Sequence, residues 1–141
     1  MTERIVRVAS GQGFWGDSLD APRQQVENGP VDYLMLDYLA EVTMSILQKQ
    51  RQRDPAAGYA RDFIGQMEGV LPAVLERGVR VVANAGGVNP VGCADALIAM
   101  ARGAPNHERL RVGVVAGDDL LPDLDALIAA GGRLAPQPLA D

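Results

Sequence analysis

Four short apolar runs, Ile5 to Ala9, Val31 to Leu36, Val79 to Ala83 and Leu110 to Ala116, alternate with stretches whose apolar residues recur every three or four positions. Nothing else in the chain restricts the fold as much. The runs are nearly continuous in Val, Leu and Ile, as strands covered on both faces are, and strands separated by helices build parallel sheets. The expected class is α/β: a parallel sheet of four strands in βαβ units, Rossmann-like, with helices packed on it.

The helices are read from spacing and punctuation. Phe63, Ile64, Met67, Leu71, Val74 and Leu75 form one stripe, and Gly78 follows where a helix end favours a left-handed residue. Pro72 inside that stripe is expected to kink the helix or divide it in two. A helix from about Ala40 to Gln52 should bury Val42, Ile46 and Leu47. Another, from near Pro90, should bury Ala94, Leu97, Ile98 and Ala101. The last, with Pro122 in its first turn, should bury Leu124, Leu127 and Ile128 and stop at Gly131 and Gly132. Arg53 to Tyr59, reading RDPAAGY, joins two helices. One domain is expected over residues 1–133, with a fraying tail over 134–141 that carries two prolines and no periodicity.

Composition enters mainly by exclusion. A net charge of −5 and a pI near 4.8 leave no clustered basic surface for nucleic acid. The Lys49, Arg51 and Arg53 group fits the dipole of a helix end. No apolar run approaches the ~18 to 20 residues that span a bilayer, and MTERIVRVAS lacks a signal-peptide core. Cys93 is the only cysteine, so no disulfide forms within the chain. A reducing, cytoplasmic setting is expected.

In open parallel sheets ligands sit beyond the carboxyl ends of the strands, where loops offer N–H groups and helix N-termini. The first loop, SGQGFWGD, matches G-x-G-x-x-G at Gly11, Gly13 and Gly16, and Asp37 lies 21 residues past Gly16, near the place of a ribose-binding acid. Against a dinucleotide, five residues separate Gly16 from Pro22, the expected helix start, and Phe14 and Trp15 crowd the phosphate position. The third loop brings Asn84, Gly86, Gly87 and Asn89 ahead of Pro90. These could face a ligand, or merely form tight turns and an N-cap. Asp17, Asp37 and Asp118 are the candidate acid/base carboxylates. Asp17 and Asp37 could alternatively hold a divalent cation through oxygen, although no metal site is assigned. Asp119 reads as a cap.

His107, the only histidine, falls in a loop at the presumed amino edge, so the material for a Ser-His-Asp triad or a usual zinc site is missing. Cys93, in a helix's first turn, reads as a buried thiol rather than a reactive one.

The segments SGQGFWGDSLDA, VDYLMLDYLAEVTM, DPAAGY, NAGGVNP and VAGDDLL occur in this order, and together they resemble the amino-terminal region of the acyclic terpene utilisation family. The resemblance runs from about Arg4 to Ile128. It implies a cytoplasmic bacterial protein of citronellol and geraniol breakdown and of branched acyl-CoA catabolism, and a chain that is part of a larger α/β domain. By position, the family's glycine-rich first loop falls on Gly11, Gly13, Gly16 and Asp17, and its N-x-G-x-x-N-P loop on Asn84, Gly86, Asn89 and Pro90. Ser18 stands where many relatives carry a basic residue, which weakens an anion clamp there.

The expected ligand is an acyl or acyl-CoA intermediate, with CoA phosphates at the glycine loops and the aspartates handling protons. The alternatives are a non-catalytic assembly or binding subunit for an acyl-CoA carboxylase system, and an NAD(P)-dependent oxidoreductase built on Gly11, Gly13, Gly16 and Asp37. Cofactor and reaction are left open. A homo-oligomer is possible through a free sheet edge.

Overall fold

The computed structural model describes residues 5–132. The chain runs β1 (Val8–Gln12), α1 (Ala21–Asn28), β2 (Tyr33–Leu36), α2 (Glu41–Arg53), α3 (Arg61–Arg77), β3 (Arg80–Ala83), α4 (Pro90–Ala101) and α5 (Leu124–Ala129). Single 3₁₀ turns lie at His107–Arg109 and Leu121–Asp123. Among the described residues no helix is long and apolar enough to cross a membrane.

The sheet is parallel, with strand order β1-β2-β3. It has three strands rather than the expected four. Residues 110–116 adopt no helix or strand and join no ladder. Leu110 and Val112 pack on the core, while the Arg111 guanidinium binds the Glu108 and Leu110 carbonyls at 2.8 and 2.9 Å and so takes an acceptor that strand pairing would need. Each strand lies beside its predecessor, so the reversal of strand order that marks a dinucleotide crevice does not occur among these three. The first strand also begins later than its apolar run suggested. Ile5 and Val6 are exposed, and Ser10, Gly11 and Gln12 complete β1.

Register decides which side chains are covered. Ala9, Leu34 and Val81 share one face with Leu36, and Leu34 and Leu36 are fully buried. Here α1 lies against β1 and β2, α3 against α1, and α4 against α3. A Cβ on Gly11 would come within 3.0 Å of Leu34, Leu36 and the Pro22 backbone, so glycine at this position lets α1 approach the sheet.

Helix α3 supplies the largest share of the core through Phe63, Met67, Val70, Leu71, Val74 and Leu75. It runs unbroken through Pro72. That residue is exposed, as is Glu68, so the carbonyl freed by the missing N–H lies on the solvent side. Gly78 closes the helix at φ 69°.

Two helices bury less than their periodicity suggested. In α2 only Thr43 and Leu47 are buried, and Val42 and Ile46 are exposed, because the helix leans on the β3–α4 loop rather than on the sheet. In α5, Leu127 and Ile128 are exposed, and the helix packs mainly on the preceding turn among the described residues. In α4, Cys93, Leu97 and Ala101 form the buried stripe and Ile98 faces out. The expected tail lies outside the described residues.

Candidate functional site at the carboxyl edge

The ends of the three strands are bonded to one another. The Asp37 N–H donates to the Gln12 carbonyl at 3.0 Å, extending the β1–β2 ladder by one step. Asn84, the first residue after β3, accepts the Tyr38 N–H at 2.7 Å and donates through Nδ2 to Asp37 Oδ1, also at 2.7 Å. The Leu39 N–H adds a longer bond, 3.3 Å, to the same oxygen. Asp37 is thereby held by Oδ1, and its Oδ2 has no hydrogen-bond partner among the described residues.

Asp17 is bound differently. Oδ2 accepts the Gly13 N–H at 3.0 Å and Oδ1 the Ser18 N–H at 2.7 Å. These backbone donors, Ser18 first and then Gly13, hold its carboxyl below the usual range. The result is a fixed anion that staples the β1–α1 loop. Asp118 follows Gly117 in an exposed stretch, and no side-chain hydrogen bond joins it to Asp17 or Asp37. Asp119 Oδ1 accepts the Leu121 N–H at 3.0 Å, but Leu120, not Asp119, is the N-cap of the turn that follows.

Three buried residues that spacing did not single out support the loop from beneath. Tyr38, Gln66 and Gln12 form a directional chain. The Tyr38 hydroxyl donates to Gln66 Oε1, Gln66 Nε2 to Gln12 Oε1 at 2.7 Å, and Gln12 Nε2 to the Phe14 carbonyl at 3.0 Å. Burial first, then the charge of Asp62, pushes the Tyr38 phenol far above its ordinary range, so it stays a donor. Trp15 is pinned separately, Nε1 donating to Asp62 Oδ1 at 2.9 Å. Gln12 stands between two motif glycines and Tyr38 beside Asp37, so adjacency to those residues was the available signal. Gln66 had none, because a polar residue on an apolar stripe is usually solvent-facing.

The glycine loops use several of their own N–H groups internally. Gly13 donates to Asp17, Gly87 to the Asn84 carbonyl, Val88 to the Gly58 carbonyl and Asn89 to the Gly86 carbonyl. Asn89 caps α4, accepting the Gly92 N–H at 3.1 Å, while its amide binds the Ala57 carbonyl at 2.9 Å. Gly87, at φ 52°, packs on Leu47 and Gly58, and a Cβ on Gly86 would strike Pro90 at 2.8 Å. Gly16, at φ 97°, has open space around it.

Apolar surface lies on the loop that follows Gln12. Phe14 and Leu19 are both 62% exposed, and a groove of about 270 Å³ runs from Leu19 between Asp20, Arg23 and α3, floored by Gly65, Gln66 and Gly69. A larger depression, about 400 Å³, lies under α4 between Ala101, His107 and Val112 and includes none of the carboxyl-edge residues. Among the described residues no group of three or more His, Cys, Asp or Glu is placed to hold a metal ion. Cys93 is buried, and burial pushes its thiol up to about 11.

A family model, described as acyclic terpene utilisation family protein AtuA, matches residues 6–140. The chain belongs to the acyclic terpene utilisation family. The match runs through the SGQGFWGD and NAGGVNP loops and both residues of the Asp37–Asn84 pair. No match was found among curated proteins or among solved structures. Membership ties the chain to acyclic terpene utilisation and leaves the chemistry to the residues. In this acyclic terpene utilisation protein they amount to an oriented carboxylate, Asp37, an amide that aims it, Asn84, and an apolar loop pinned to α3.

Proposed function

We propose that this protein binds an acyl or acyl-CoA intermediate of acyclic terpene breakdown at the carboxyl edge, with the branched hydrocarbon against Phe14 and Leu19 and the polar acyl end at Asp37 and Asn84. The observation that carries this reading is the placement of exposed Phe14 in the loop whose root, Gln12, is bonded to Asp37. An apolar wall with a few convergent polar groups is the usual make-up of a small-molecule site. Asp37, with Oδ2 unengaged, is the group suited to accept a proton or a substrate hydroxyl; Asp17 is suited to hold the loop. Because the Gly13, Gly87, Val88 and Asn89 N–H groups are bonded internally, recognition of CoA phosphates by these loops is expected to contribute little. A nicotinamide site has less support, since Gly11 is packed beneath α1 and that helix begins at Ala21, away from Gly13 and Gly16.

Trp15 fluorescence and calorimetry on the full chain test the reading with four probes: a branched C10 acyl-CoA ester, its free acid, CoA alone and NADH. The ester and the acid are expected to bind, and CoA and NADH to leave the signal flat. Losing a hydrogen bond to a charged group costs about 1.5–3 kcal/mol, so Asp37→Asn should weaken binding by roughly 10- to 100-fold. Equal binding of CoA alone, or an unchanged Asp37→Asn variant, would overturn the proposal.

A further inference from the structure

The second face of the sheet is bare. Val8, Tyr33 and Arg80 share it with Ser10, Met35 and Val82, and Val8, Met35 and Val82 are 68, 43 and 58% exposed. Parallel strands are almost always covered on both sides, and here α1, the helix packed on β1 and β2, lies on the Leu34 and Leu36 side. The same chain also carries an apolar helix with little packed against it among the described residues. Leu120, Leu121, Leu127 and Ile128 are exposed in and just before Leu121–Asp123 and α5, and the main packing partner of α5 among the described elements is that turn.

The two surfaces match in charge and in size. Arg80 lies on the bare face with its guanidinium 5.4 Å from the Tyr33 ring centroid, and it pairs with no carboxylate among the described residues. The helical segment carries Asp118, Asp119, Asp123 and Asp125 and no cation between residues 117 and 130. Three strands span about 10 Å, and a 3₁₀ turn followed by six helical residues is about 15 Å long.

We infer that this protein self-associates by reciprocal exchange: α5 of one copy lies across the Val8, Met35 and Val82 face of a second, with Asp125 or Asp123 against Arg80. Exchange covers both surfaces in both copies and closes on a two-fold axis. The stretch between core and helix suits it. Residues 113–120 are exposed and lie outside any helix or strand, and Gly117 at φ 119° provides a bend.

Sedimentation equilibrium on the full chain is expected to show a dimer. Met35→Glu and Leu127→Asp each change an exposed residue and should raise the dimer dissociation constant at least about tenfold with the thermal melt of the monomer unchanged. Arg80→Glu should weaken the dimer, and Asp125→Arg in the same chain should restore it. Mixing separate Val82→Cys and Leu127→Cys chains under oxidation should give a disulfide-linked pair, the buried Cys93 staying unreacted. A monomer at all concentrations, a dimer indifferent to Leu127→Asp, or cross-linking of Val82→Cys chains with themselves instead of with Leu127→Cys chains would each overturn the inference.

Discussion

Asp17 and Asp37 are both carboxylates beyond the end of a strand, yet their partners separate them. Both oxygens of Asp17 face backbone N–H groups, and its pKa is lowered by Ser18 and then Gly13. A carboxyl that is harder to protonate in the folded than in the unfolded chain binds fewer protons when folded. The unfolded state then gains protons as pH falls, and stability falls with it. This contribution is fully present above the ordinary value of 3.8 and is lost as pH drops through the lower folded value. Asp17→Asn should therefore flatten the decline of urea midpoint with acid in that window, leaving the share due to Asp20, whose pKa is also lowered, by Gln24 and Arg23. Parallel pH profiles for wild type and variant would show that the staple contributes nothing. That these residues belong near a site was readable from their place after apolar runs. Which one is a staple and which has a free oxygen depends on loop geometry that a single sequence does not encode visibly.

At the scale of elements, the glycines divide by what surrounds them. Gly65 and Gly69 lie inside α3 with open space where a Cβ would go, so packing does not require either. Glycine in a helix interior costs about 1 kcal/mol relative to alanine, and Gly65→Ala and Gly69→Ala should each raise stability by roughly 0.5–1 kcal/mol in urea unfolding. Gly87→Ala is expected to do the reverse. Its φ of 52° disfavours a side chain, and a new Cβ would meet Leu47 and sit 2.7 Å from the Gly58 carbonyl. A loss of about 2 kcal/mol or more follows from the strain and the collision together. Similar unfolding midpoints for all three variants would contradict this division. Helix α3, its Gly78 stop and the α1 start at Pro22 were legible because caps and stripes are local. The lean of α2 was not, since Val42 and Ile46 fit an apolar stripe equally well whether or not a sheet lies beneath them. Pro72 does not divide α3, and the carbonyl it frees lies on the exposed side, where water can replace the missing N–H.

For the whole molecule, the decisive expectation was four parallel strands, and the three that form are the ones whose runs are followed by helices reaching the core. Residues 110–116 have the composition of a strand, but pairing is a non-local property that composition cannot guarantee. Val115 is 95% exposed, and only Leu110 and Val112 touch the cluster that holds Leu34 and Leu36. Local opening free energies follow buried contacts and ladder bonds. Hydrogen exchange should accordingly be slowest at the amides of β2, which is paired on both sides, slower in α3 than in α5, and fast from 111 to 120. Protection of 111–116 equal to that of β3 would show a fourth strand in solution, most simply on β3's free edge, because a right-handed crossover through α4, which packs on α3, leads there. The carboxyl edge would then gain a fourth loop bearing Asp118. Fast exchange throughout that stretch would leave Asp37 and Asn84 as the polar centre of the site, with Asp118 outside it.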